Sequence, residues 1–250
     1  MLKYFLFALY QLTRLPLPAI AYDEKTCGRS ATYFPAVGLI LGTFLASLWW
    51  AAGWFFPVHV QSALLILGMV FLTGGIHLDG FMDTMDGLLS GKAREKKLEI
   101  MRDSRVGAFG VIGAICLLLL KYNLILEMPN QTLMRVLPVI PALSRWGMTL
   151  AIAAFPYAKD EGLGKIYSLY SGAKEIVGAT VIAGAVAGAI TGPLGLWLMA
   201  LSGVVTCIVG RKLTRELGGL TGDIYGFINE FLEVVLLFAV FPLFLVNSGV

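Results

Sequence analysis

Seven apolar stretches, each near the length that crosses a bilayer, leave this chain few ways to fold. They run roughly over residues 33–55, 59–78, 107–126, 133–155, 174–191, 193–210 and 228–246. A helix needs about 20 predominantly apolar residues to span the hydrocarbon core. The composition agrees: 58% of residues are hydrophobic and 14% charged, against roughly 25% charged in a soluble domain. The expected fold is all-α, a polytopic membrane helix bundle with about seven transmembrane helices, forming one domain over 1–250. Gln11, Arg14, Pro16 and Pro18 interrupt the first apolar run too early for a cleaved secretory leader. Residues 2–14 therefore read as an amphipathic helix at the membrane surface, within an N-terminal segment 1–32.

Charge position sets the expected orientation. Of the 19 Lys and Arg, all fall in 1–32, 79–106, 156–174 and 211–222 except Lys121 and Arg135, at the edge of the other side, and Arg145, inside the fourth span. In a seven-span arrangement these segments share one side, which the positive-inside rule makes cytoplasmic, with the N-terminus. A net charge of +3 is too small to imply nucleic-acid binding. Cys27, Cys116 and Cys207 are scattered without metal-binding spacing and read as small apolar filler or free thiols.

Residues 74–87, Gly-Gly-Ile-His-Leu-Asp-Gly-Phe-Met-Asp-Thr-Met-Asp-Gly, carry the strongest chemical signal. Asp79, Asp83 and Asp86 lie at i, i+4 and i+7, within about 60° on a helix. Carboxylates so placed repel unless a cation sits between them, and acids at membrane depth are costly and usually functional. The pattern predicts a metal site at the end of a transmembrane helix, with Asp79, Asp83 and Asp86 as ligands of Mg²⁺ or Mn²⁺. Gly80 and Gly87 permit close approach of a substrate phosphate or of backbone. His77 is an extra ligand or, more commonly for a lone histidine, a hydrogen-bonded packing residue.

Three further groups support anion chemistry. In 100–111, Arg102 and Arg105 bracket Asp103 and Ser104 and precede Gly107 and Gly110, a pattern suited to phosphate oxygens. Arg145 lies inside the fourth span and needs a partner there, either an intramembrane acid such as Glu233 or an anionic substrate. Thr221 and Asp223 precede the last span, with Glu230 seven residues on. Acids holding a divalent metal beside arginines are equipped for phosphoryl or nucleotidyl transfer. The alternative is a divalent-cation or proton-coupled transporter, against which the gathering of acids at one face weighs.

The motifs Leu-Thr-Arg-Leu-Pro-Leu-Pro (12–18), Gly-Gly-x-His-Leu-Asp-Gly-x-x-Asp-Thr-x-Asp-Gly (74–87), Asp-Ser-Arg-x-Gly-x-Phe-Gly (103–110), Ser-Arg-Trp (144–146) and Leu-Thr-Gly-Asp (220–223) resemble the cobalamin synthase family. The resemblance implies a transferase of the prokaryotic cytoplasmic (inner) membrane with its site facing the cytoplasm. It implies that adenosylcobinamide-GDP reacts with α-ribazole, or its 5′-phosphate, and releases GMP, with Mg²⁺ as the metal. The chemistry is similar in kind to that of the CDP-alcohol phosphotransferases. Their signature is absent, because Asp83-Thr84 stands where they have Ala-Arg, so their catalytic base is not carried over. On this reading Asp79, Asp83 and Asp86 hold Mg²⁺, while Arg102 and Arg105 hold phosphate. Gly80, Gly87, Ser104, Arg145 and Thr221 line the substrate, and Asp86 or Asp223 accepts a proton. Lipid surrounds the chain, and its small-residue helix faces permit self-association into a homo-oligomer.

Overall fold

A computed structural model describes residues 1–18, 20–159 and 161–248, with side chains to Phe241. In chain order the helices are α1 (Leu2–Leu12), α2 (Glu24–Ser30), α3 (Phe34–Ala52), α4 (Val58–Thr73), α5 (Ile76–Leu89), α6 (Arg94–Ile100), α7 (Ala108–Glu127), α8 (Asn130–Val136), α9 (Val139–Ala154), α10 (Leu163–Tyr170), α11 (Ala173–Thr191), α12 (Pro193–Leu217) and α13 (Gly222–Ser248). Among the described residues there are six segments long and apolar enough to cross a membrane, and a seventh if α4 and α5 are counted as one broken span. The all-α membrane bundle is as expected.

The main departure falls at the second span. The apolar run 59–78 is not one helix: α4 stops at Thr73, and α5 leaves at 92° to it. Gly74 and Gly75 make the corner, at φ of 65° and 70°, a left-handed conformation that costs glycine little. The carboxylates therefore sit on a separate short helix. At 14 residues, α5 is about 21 Å long and cannot cross alone. At the other end of the chain, α13 starts earlier than the predicted span, so Asp223, Glu230 and Glu233 share one helix.

Helix α9 is the axis of the bundle, buried at nearly every position from Val139 to Ile152. Helix α3 presses against it through Gly38 and Gly42, where an added Cβ would strike the backbone of Leu137–Ala142. Helices α11 and α12 form a hairpin at Gly192-Pro193, and α11 buries only the small stripe Ala179, Ala183 and Ala187. Such stripes bring helices close where no hydrophobic effect operates between them. Helix α1 forms over most of the 2–14 stretch read as helical and buries Phe7, Ala8, Leu9 and Leu12.

Candidate functional site in the acidic end of the bundle

Helices α5 and α13 meet at their N-terminal turns, glycine against glycine. A Cβ on Gly80 would lie 2.7 Å from the carbonyl oxygen of Asp223, and one on Gly226 would lie 3.0 Å from that of His77. Gly80 thus serves backbone approach, one of the two uses its position allowed. Gly87 likewise faces α6, packed on Met101 and the Lys97 carbonyl. The close crossing brings Asp223 alongside Asp79 and Asp83.

Asp83 registers that crowding. The charges of Asp79, Asp223 and Asp86 bear on its half-buried carboxylate, and Lys159 bears on it with opposite sign. Like charges sharing a site repel in this manner. Lys159 reaches Asp223 Oδ2 at 3.1 Å. The loop bearing it is pinned beside the 218–222 turn: Leu220 N–H donates to the Pro156 carbonyl and Ala158 N–H to that of Leu220, both at 2.8 Å. Gly219 makes this possible, since a Cβ there would meet Ala158 N at 2.7 Å. Lys159 gave no sign in the sequence because its partner Asp223 lies 64 residues away along the chain and the two meet through a loop-to-loop contact.

Asp86 has a structural task besides the ligation its spacing suggested. Its Oδ2 accepts the N–H of Gly107 at 2.7 Å and its Oδ1 that of Gly110 at 2.8 Å. The carboxylate thereby satisfies the orphan donors at the start of α7. Gly107 and Gly110 are required here, because a Cβ on either would collide with the carboxylate. Thr221 also is engaged. Its hydroxyl donates to Asp223 Oδ2 at 3.1 Å and accepts the N–H of Ile224 at 3.3 Å, capping α13.

The arginines divide. Arg105 grips Asp103 with Nε at 3.0 Å and Nη2 at 2.7 Å, which holds the Asp103 carboxyl down to about 2. Arg102 and Ser104 are exposed beside it. Arg102 stands near enough to the acids to act on Tyr157: burial and Asp223 push that phenol up, and Arg102 pulls it down. Arg145 takes the ion-pair alternative, with Nη1 at 2.5 Å from Glu233 Oε1.

That pair belongs to a buried quartet. Lys121 Nζ lies 2.5 Å from Glu230 and 2.6 Å from Glu233. Two cations thus face two carboxylates inside the bundle, joined by Ser144 and Asn229. Lys121 is not at the outer edge, where its sequence position placed it, but is 2% exposed in the interior. Glu230 accordingly faces Lys121 rather than the aspartates. The network reaches the acidic site through Arg145 Nη2, 3.4 Å from His77 Nδ1. His77 is thus hydrogen-bonded and 4% exposed, as a packing histidine would be.

Among the described residues, no three His, Cys, Asp or Glu side chains converge as a ready metal cage. Mg²⁺ seldom needs one, since it is usually held by one or two carboxylates together with substrate phosphates and water. Asp79 and Asp83 offer hard oxygen donors, and the crowding at Asp83 is a charge imbalance that a cation would relieve. These residues fit Mg²⁺ as a set shared with a substrate. Asp86 keeps a lone pair on each oxygen beside its backbone hydrogen bonds and could still join them.

Fold and site together define a helical integral membrane protein with a cluster of acids at one end. Residues 4–241 match the family model described as cobalamin-5-phosphate synthase. The chain belongs to that family and is a transferase of cobalamin biosynthesis. A protein of Roseiflexus sp. (strain RS-1) named adenosylcobinamide-GDP ribazoletransferase is 41% identical over 231 residues, covering 92% of this chain and 86% of that one. A protein of the same name from Desulfitobacterium hafniense (strain Y51) is 40% identical over 253 residues, covering 94% and 95%. Another, from Acetivibrio thermocellus, is 38% identical over 221 residues, covering 88% and 89%. No solved structure matches. The transporter alternative finds no support in this family.

Proposed function

We propose that the chain joins adenosylcobinamide-GDP to α-ribazole, or its 5′-phosphate, and releases GMP, as a Mg²⁺-dependent enzyme of the prokaryotic cytoplasmic membrane. The observation that carries this reading is the meeting of Asp79, Asp83 and Asp223 across α5 and α13, in a chain whose relatives bear that activity in their names. The basic loops around the site favour a cytoplasmic orientation.

In the reaction a ribazole hydroxyl oxygen bonds to the phosphorus nearest the corrinoid. The pyrophosphate bond to GMP breaks, and GMP leaves with the electron pair. Asp79 and Asp83 would hold Mg²⁺, which when bound neutralises phosphate oxygens and supports the leaving group. Lys159 and Thr221 both engage Oδ2 of Asp223, so we assign Oδ1 to accept the hydroxyl proton. Arg102 meets phosphate oxygens as charge shifts toward GMP. Arg105, already paired with Asp103, shapes the loop. Asp86 fixes the start of α7 against α5.

The test is GMP release by the purified full chain in liposomes, with adenosylcobinamide-GDP, α-ribazole and Mg²⁺. The expected result is GMP and a complete cobalamin in equal amounts, both abolished by EDTA and restored by Mg²⁺. Folded protein that gives neither would overturn the reading.

A further inference from the structure

A cavity of about 240 Å³ opens beside the acids, between α1, α9, α10 and the first turns of α5 and α13. Asp79 and Asp223 stand at its wall with Gly80 and Gly222, while Leu12, Phe34, Met148 and Ile152 make the rest largely apolar. Phe34 and Tyr167 meet edge to face on one side, ring centroids 5.4 Å apart.

Three polar side-chain atoms at this cavity lack partners, the Tyr167 hydroxyl and two others. His77 and Tyr225 both line it, and both are at least nine-tenths buried. The His77 Nε2 and the Tyr225 hydroxyl are buried without a hydrogen bond. Arg145 can only donate, so its contact with His77 makes Nδ1 the acceptor. The proton of a neutral ring is therefore on Nε2, as an N–H with nothing to receive it. A buried unmet donor is costly and calls for an explanation. A ligand acceptor in this cavity would supply one.

We propose that this cavity binds the base of the acceptor nucleoside, a planar bicyclic heteroaromatic of the benzimidazole type. The inference rests on the reading above, which supplies an acceptor. Size excludes a corrin macrocycle and allows a fused bicyclic ring, since an apolar cavity of about 150 Å³ already takes benzene. Chemistry separates the base from guanine. An N-glycosylated benzimidazole has one ring-nitrogen acceptor and no N–H donors, matching an apolar wall with His77 Nε2–H and a tyrosine hydroxyl. Guanine would bring its N1–H and exocyclic amino group into a space where, among the described residues, the carboxylates Asp79 and Asp223 lie with the reacting groups and Gln11 is left as the one amide acceptor. A base seated here places its ribose at Asp79 and Asp223, where the hydroxyl must react.

Binding of α-ribazole to the full chain in detergent is measured by calorimetry without the corrinoid substrate, and KM for each substrate is measured in the GMP assay. Tyr225→Phe removes one hydroxyl and Leu163→Trp fills the cavity from an exposed edge. Each is expected to weaken α-ribazole binding and raise its KM by about tenfold, with KM for adenosylcobinamide-GDP unmoved. A rise in the latter alone would assign the cavity to guanine and overturn the proposal. Unchanged α-ribazole affinity in both variants would also overturn it. Loss of turnover in the wild type would instead overturn the function proposed above.

Discussion

Asp86 gives both carboxylate oxygens to the N–H groups of Gly107 and Gly110, whereas Asp83, one turn earlier on α5, faces other carboxylates. The two are therefore expected to fail differently when changed. Asp86→Asn presents an amide N–H to a backbone N–H. It should lower stability by about 1–3 kcal/mol and leave the Mg²⁺ concentration for half-maximal activity near its wild-type value. Asp83→Asn should reduce turnover by at least about 100-fold while the thermal midpoint holds or rises, because like-charge repulsion is removed. Thermal unfolding and Mg²⁺ titration of the two variants check this. The i, i+4, i+7 spacing made an acidic face legible, but not which acids remain available. That depends on the start of α7, 21 residues beyond Asp86, and on Lys159, neither of which spacing within α5 reveals.

The crossing of α5 on α13 sets the distance between Asp83 and Asp223. Gly80→Ala drives a methyl into the Asp223 backbone and should cost about 1–3 kcal/mol through overpacking. Turnover should fall by more than about tenfold as Asp223 shifts. Gly184→Ala is the control: its methyl would meet only Met199 Sδ, at an ordinary 3.8 Å. It should be neutral or stabilising by about 0.5–1 kcal/mol. Unfolding curves alongside GMP assays separate the two. At this scale the apolar runs showed where helices lie, since lipid leaves the backbone little else. They did not show that the second run breaks. Gly74 and Gly75 sit inside an otherwise continuous apolar pattern, and glycine pairs occur in unbroken membrane helices as well as at corners.

Across the whole molecule, the buried quartet ties α7, α9 and α13 together and reaches α5 through His77. Removing one partner from a buried pair is costly, about 3–5 kcal/mol, because the other charge stays unpaired. Lys121→Met should show that loss in denaturant unfolding, and Lys121→Met with Glu230→Gln should recover much of it. The sequence signalled that Arg145 needs an acid and offered Glu233. It hid Lys121, which reads as an edge residue until Glu230 and Glu233 are seen facing it. Two cations against two carboxylates give the interior a polar centre without net charge, which suits a part in assembly while chemistry proceeds at the acidic end.

Asp79, Asp83 and Asp223, gathered at the α5–α13 crossing, are proposed to form the reacting centre. The most direct measurement is the rate of GMP release by Asp83→Asn and Asp223→Asn in liposomes at saturating Mg²⁺ and both substrates, beside the wild type. The expected result is a loss of at least about 100-fold in each variant, in folded protein that retains α-ribazole binding. Near-normal release by either folded variant would contradict it.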